Sequence, residues 1–205
     1  MPVNDEIFEF GKNIHALASY YLKGENIDKM EKSLSEKELD VWNYLKASKY
    51  FTYDVIDTEY NLAVKIGKYF FGGRLDALVK NGDKYYILDY KTGSAPKGAK
   101  YDYQTMVYTL CVKEFFRTND VTFVYLDLKH REEVVLPFTE ELEEEYKNRL
   151  IDISNKIDNY ESAPKKQECK RGDNIDHAHN IYPYPCEYSI ICYWIWFRVL
   201  LAFQW

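Results

Sequence analysis

The sequence predicts a mixed α/β fold, one sheet flanked by helices, from three observations. Apolar residues recur at helical spacing over 4–22 and 139–157. β-branched and aromatic residues dominate 53–91, where "KNGDK" marks a tight hairpin turn. A helical stretch over 101–116 interrupts the strand-like segments.

The first helix follows Asn4 as N-cap and carries Ile7, Phe8, Phe10, Ile14, Leu17 and Tyr21 at helical spacing. A polar stretch holding Gly24 ends it, and Ser35 followed by Glu38 has the capping-box spacing that opens a second helix in "SEKELDVWNYLKA". Three antiparallel strands are expected at roughly 53–66, 69–80 and 84–91, broken near "VKIGKYFFGG" and at the "NGD" turn. After the helix over 101–116, "VTFVYLDL" and "REEVVLPF" read as two more strands, so that helix crosses between strands. Thr139 opens a last helix, with Leu142, Tyr146, Leu150, Ile153 and Ile157 on one face and glutamates in the first turn, where the helix dipole favours them. Residues 161–185 gather Pro, Lys and Asn and read as a lid or linker. The closing "YWIWFRVLLAFQW" is too short to span a bilayer and reads as a packed terminal helix, with a membrane-surface or appended tail as the lesser alternative.

With 205 residues, 46% of them hydrophobic and 17% aromatic, the chain can bury a full core as a single domain over 1–205, residues 161–205 forming a Cys/aromatic tail. A net charge of −6 excludes a uniformly basic nucleic-acid coat while leaving room for a local groove. The start lacks a basic segment followed by an apolar one, and no run of about 18 apolar residues occurs. A soluble, cytoplasmic protein without membrane contact is expected. Disulfides are then not expected of Cys111, Cys169, Cys186 and Cys192, which are free thiols or metal ligands.

The candidate chemistry lies in "YYILDYKTG". On a strand, side chains at i and i+2 share a face, so Asp89 and Lys91 project together. A carboxylate ending an apolar strand needs a compensating cation, which is either a divalent metal or Lys91 itself in an internal ion pair. Folding about the turn near 81–83 sets Asp76, in "FFGGRLDALV", close to Asp89. Two carboxylates so placed repel, and Mg²⁺ or Mn²⁺ relieves the repulsion; a surface-facing Asp76 is the alternative.

In this order and spacing, "GGRLDALV", "YYILDYKTG" and "YQTMVYTL" resemble the core of the PD-(D/E)XK nuclease superfamily, in its RecB-like exonuclease branch, which includes CRISPR-associated and phage enzymes. The branch pattern is a histidine on an early helix, G-x-x-D, an apolar strand ending D-x-K, and Q-x-x-x-Y on a helix. Here these are His15, Gly73 with Asp76, Asp89 with Lys91, and Gln104 with Tyr108. The resemblance covers about half the chain. It implies a restriction-endonuclease-like core and metal-dependent hydrolysis of DNA, with Asp76, Asp89 and Lys91 catalytic and His15, Asp76, Asp89 and the Tyr90 carbonyl holding Mg²⁺ or Mn²⁺. Glu59 corresponds to an acidic position that some relatives hold near the site.

Gln104 and Tyr108 share a helix face and are expected to contact DNA backbone while bracing the site, though helix–sheet packing alone explains a tyrosine there. His15 lies four residues after Gly11, where a neighbouring chain can approach, and a core histidine is its plain alternative. Lys97 and Lys100 lie in a locally basic stretch over 84–100, matched by Lys165, Lys166, Lys170 and Arg171 over 165–171. Tyr101 and Tyr103 offer stacking surfaces for unpaired bases. Many relatives close their ends with a four-cysteine iron–sulfur cluster. Here Cys186 and Cys192 keep C-x₅-C, but Pro183 stands where a ligand would precede them and no cysteine occurs before Cys111. Unligated buried cysteines are favoured over a 4Fe–4S cluster on Cys111, Cys169, Cys186 and Cys192, or over zinc on Cys169, Cys186, Cys192 and His177 or His179. DNA is the expected partner, with proteins of a recombination, phage or CRISPR complex beside it. The alternatives are a catalytically silent DNA-binding or assembly module and a structure-specific endonuclease.

Overall fold

The computed structural model describes residues 5–158, with side chains from residue 9 onward. The expected N-cap Asn4, the lid or linker over 161–185, the basic stretch over 165–171, Cys169, Cys186, Cys192, His177, His179 and the terminal helix lie outside the described residues. The chain divides into two units. One comprises Asn4–Lys147; the described part of the other is the end of the last helix, from Asn148 on. The sheet and the candidate site belong to the first.

Helix α1 spans Asp5–Leu22, α2 Asp28–Ser33 and α3 Glu36–Lys46. The capping box expected at α3 is present: Glu38 N–H donates to Ser35 Oγ at 3.3 Å, and Ser35 N–H donates to Glu38 Oε2 at 2.8 Å. Helix α2 falls in what reads as a polar loop. Its six residues bury none of their side chains fully, so it carries no apolar period by which to be seen.

Strands β1 (Asp54–Ile66), β2 (Tyr69–Asn81) and β3 (Lys84–Lys91) form consecutive antiparallel hairpins. Each turn is two residues long, and Gly67 and Gly82 adopt φ values of 60° and 61° that a side chain would resist. Helix α4 (Tyr103–Phe116) then crosses to β4 (Val121–Asp127), which pairs parallel with β3, and β5 (Glu132–Pro137) returns antiparallel. Strand order is β1-β2-β3-β4-β5, a mixed five-stranded sheet flanked by helices, as the sequence predicts. The final helix, α5, spans Glu140–Asp158.

The sheet has a core on each side. Ile14 and Leu17 of α1 and Trp42 of α3 pack with Leu88, Tyr90 and Leu126. On the other side lies α4, whose residues from Thr105 to Val112 are all buried, as befits a helix apolar around most of its circumference. Ala77 belongs to the α1 core, whereas Gly73, of the same strand parity, meets Tyr108 of α4. Face alternation in β2 is therefore interrupted between them, around Asp76.

Gly73 is required by Tyr108. A Cβ there would lie 2.7 Å from Tyr108 Cε1 and 2.8 Å from its hydroxyl oxygen. Gly73→Ala is expected to destabilise the fold by about 1–3 kcal/mol through overpacking, seen as a lower midpoint in urea unfolding. An unchanged midpoint would contradict this contact.

Candidate active site

Two positions bring α1 to the sheet. A Cβ on Gly11 would lie 3.1 Å from Thr92 Oγ1, so the glycine admits close passage of the chain leaving β3. One helical turn later, His15 meets the same chain: its Nε2 bonds to the Tyr90 carbonyl at 2.9 Å, and its Nδ1 lies 3.3 Å from Asp76 Oδ1.

Asp76 sits where the β2–β3 ladder ends. Paired positions run from Asn81↔Lys84 to Ala77↔Leu88, and at the next step the Asp76 side chain replaces the backbone, its Oδ2 accepting the Tyr90 N–H at 2.8 Å. Asp89 is 4% exposed, and its Oδ2 lies 2.7 Å from Lys91 Nζ as an ion pair outside hydrogen-bond alignment. Lys91 Nζ also donates to Gln104 Oε1 at 2.8 Å and lies 5.5 Å from the centre of the Tyr125 ring. The structure thus brings His15, Asp76, Asp89, Lys91 and the Tyr90 carbonyl together.

The electrostatics follow from burial and pairing. Burial alone would lower the His15 pKa, but the Asp76 carboxylate, helped by Asp89 and the Tyr90 carbonyl, carries it up to about 9. Both ring nitrogens face acceptors, so the imidazolium satisfies both contacts at once. Burial would raise the Asp76 pKa, but His15 and the Tyr90 N–H outweigh it and hold the carboxyl below its usual range. Asp89 is pushed up to about 6 by burial, with Lys91 opposing and Asp76 adding repulsion. Lys91, despite burial, is raised by Asp89. Near neutral pH two cations therefore face two carboxylates.

Glu59 completes the cluster. Thr58↔Ala77 and Tyr60↔Leu75 flank it, placing it across from Asp76. Ligand atoms of His15, Glu59 and Asp76 all lie within 4.8 Å of one another. Its backbone has φ 53°, a left-handed conformation that costs a glutamate roughly 1–3 kcal/mol and recurs at functional sites. Glu59 Oε2 holds Arg74 Nε at 2.8 Å. The symmetric-turn reasoning that pairs Asp76 with Asp89, applied to the Gly67–Lys68 turn, would have placed Glu59 opposite Asp76.

The remaining expected residues lie around this cluster. Gln104 is turned inward onto Lys91, and Tyr108 is buried against Gly73 and stacked near Phe123, which is the packing alternative. Lys97 and Lys100 are exposed on the segment after β3. Asp127, absent from the expected set, fastens that segment: it accepts from Ala95 N–H at 2.9 Å and from His130 N–H at 2.9 Å. Cys111 is buried in α4, where burial pushes its thiol up to about 12 and its Sγ contacts the Phe71 carbonyl at 3.8 Å.

The family model of the PD-(D/E)XK nuclease superfamily matches residues 14–193 of this chain, a span that begins beside His15 and takes in every residue of the cluster. The chain belongs to the PD-(D/E)XK nuclease superfamily. The RecB-like exonuclease branch of that superfamily is supported by a curated relative, the CRISPR-associated exonuclease Cas4 of Francisella tularensis subsp. novicida, 29% identical over 100 residues, 48% of this chain and 50% of the relative. The chain thus matches about half the length of that relative. The solved structure of SSO0001 is similar at 16% identity with a TM-score of 0.37, over 78% of this chain and 80% of that one. As a PD-(D/E)XK protein the chain is a nuclease. Among the described residues, no helix is long and apolar enough to cross a membrane.

Proposed function

We propose that this chain, one domain over 1–205, is a divalent-metal-dependent deoxyribonuclease, an exonuclease that acts on DNA ends or single strands by hydrolysing phosphodiester bonds. The observation that carries the reading is the gathering of Asp76, Asp89, His15 and Lys91 at the point where the β2–β3 ladder opens.

The donor set fits Mg²⁺ or Mn²⁺: carboxylate oxygens, a carbonyl and one imidazole, with the ligand atoms of His15, Glu59 and Asp76 close enough to share one centre. His15, Asp76, Asp89 and the Tyr90 carbonyl would hold the ion, with Glu59 as a further donor. A bound divalent ion supplies polarisation of the scissile phosphate, acidity for water and charge stabilisation in the transition state.

The chain's own residues do the rest. His15 would give up one of its two ring protons to become a neutral ligand, its other ring nitrogen keeping its N–H on Asp76 or the Tyr90 carbonyl. Lys91, held between Asp89 and Gln104, orients the attacking water and offsets charge developing on phosphate. Lys97 and Lys100, exposed on a segment anchored through Asp127, attract the phosphate backbone irrespective of sequence. Cys111, a buried thiol in the α4 core, supports a structural role over cluster ligation. The Cas4 relative, named a CRISPR-associated exonuclease, supports end-directed cleavage and a setting among CRISPR proteins. Recombination and phage replication are the other settings, and the cytoplasm is the proposed compartment.

Circular and linear DNA, single- and double-stranded, incubated with Mg²⁺, Mn²⁺, Ca²⁺ or EDTA, tests this. Expected are degradation of linear substrates with Mg²⁺ or Mn²⁺, little with Ca²⁺, none in EDTA, and intact circles. Opened circles would replace the exonuclease reading with an endonuclease. Inert protein that still binds DNA would make it a silent module.

A further inference from the structure

We propose that Arg74 positions the substrate phosphate, and that Glu59 is the residue that aims it. The proposal rests on the nuclease reading and adds to it a residue and a role.

Arg74 stands between Gly73 and Asp76 on β2 with its side chain 64% exposed, beside a cluster that is otherwise largely buried. Its recorded contact runs through Nε to Glu59 Oε2 at 2.8 Å. A guanidinium held by Nε keeps its two terminal nitrogens available, and that pair matches the spacing of two phosphate oxygens. A lysine in the same place would offer a point charge with no such fork.

Glu59 ties this fork to the chemistry. Its carboxylate lies within reach of His15 and Asp76, so Arg74 is one carboxylate removed from the candidate ligand atoms. With two oxygens, that carboxylate can keep Arg74 on one and face the His15–Asp76 cluster with the other. The left-handed backbone at Glu59, φ 53°, is the second observation. An ordinary surface ion pair contributes little and gives no reason to retain a strained residue. A residue that must present its carboxylate to two neighbours does. A phosphodiester drawn to the fork would then have its phosphorus near Asp76 and Asp89, with Lys97 and Lys100 acting farther along the strand.

The test uses a fluorescein-labelled single-stranded oligodeoxynucleotide, with binding followed by anisotropy in Ca²⁺ over a range of salt and cleavage followed in Mn²⁺. Arg74→Ala is expected to weaken binding about tenfold and to flatten the dependence of log Kd on log salt by about one unit. Arg74→Lys should keep the slope and recover only part of the affinity. Glu59→Gln should lose less than Arg74→Ala, and the loss in the double variant should be smaller than the sum of the two single losses, since the pair is coupled. Arg74→Gln, which retains the stem, stands in if the alanine variant does not fold. Binding and salt slope equal to wild type in a folded Arg74 variant, with only the melting temperature moved, overturn the proposal and leave a structural ion pair. Wild-type protein that neither binds nor cleaves the oligonucleotide overturns the nuclease reading itself.

Discussion

Replacing Lys91 with alanine, or Asp89 with asparagine, slows DNA cleavage about a thousandfold or more while the fold and DNA binding persist. The Lys91 ammonium is held by Asp89 and Gln104 and lies over the Tyr125 ring, and it belongs to neither apolar core, so removing it leaves the cores on either face of the sheet intact. Asp89 is already disfavoured as an anion by burial and by Asp76, so an uncharged side chain of the same shape costs little stability. Removing a carboxylate from a phosphate-binding site also removes repulsion, so binding holds or tightens. Single-turnover cleavage with saturating Mn²⁺, circular dichroism and anisotropy separate the three effects. Wild-type turnover in either variant would remove these residues from the chemistry.

Metal affinity falls steeply with acidity, about tenfold for each pH unit between 9 and the ordinary histidine range. The sign follows from His15. Asp76 raises its folded-state pKa to about 9, so at pH 7.5 the imidazole is protonated on both nitrogens and must lose a proton before a ring nitrogen can ligate. Below about pH 6 Asp89 begins to protonate as well, and the decline steepens. Titration calorimetry at pH 7.5 in buffers of different ionisation enthalpy should register about one proton released per ion bound. Linkage gives the opposite trend for the metal-free fold. The stability from the raised His15 pKa is fully present below pH 6.5 and is lost as pH rises through 9. No proton release, with affinity flat between pH 6.5 and 9, would mean that His15 does not ligate.

Most of the framework is legible because its signals are local. The hairpin between β2 and β3 is written in "NGD", the α3 cap in Ser35 and Glu38, and the convergence of Asp76 with Asp89 in their placement about one turn. The parallel pairing of β3 with β4 depends on how α4 packs back onto the sheet, and no short motif encodes that. Helix α2 escapes because it is six residues long and sets a single apolar side chain, Met30, against the core. Arg74 looks like an ordinary surface charge until the register brings Glu59, singled out in the sequence by resemblance alone, opposite Asp76 and a left-handed backbone marks that glutamate. Tyr108 shows the converse: one ring accounts for both a tyrosine on α4 and a glycine on β2.

Single-turnover cleavage of a labelled linear DNA tests the central assignment most directly, run with wild-type protein in EDTA, after readdition of Mn²⁺, and with the Lys91→Ala variant in parallel. Expected are no cleavage in EDTA, full recovery with Mn²⁺ and a rate about a thousandfold lower for the variant. Undiminished cleavage in EDTA, or wild-type turnover by Lys91→Ala, would contradict a metal-dependent nuclease built on Asp76, Asp89 and Lys91.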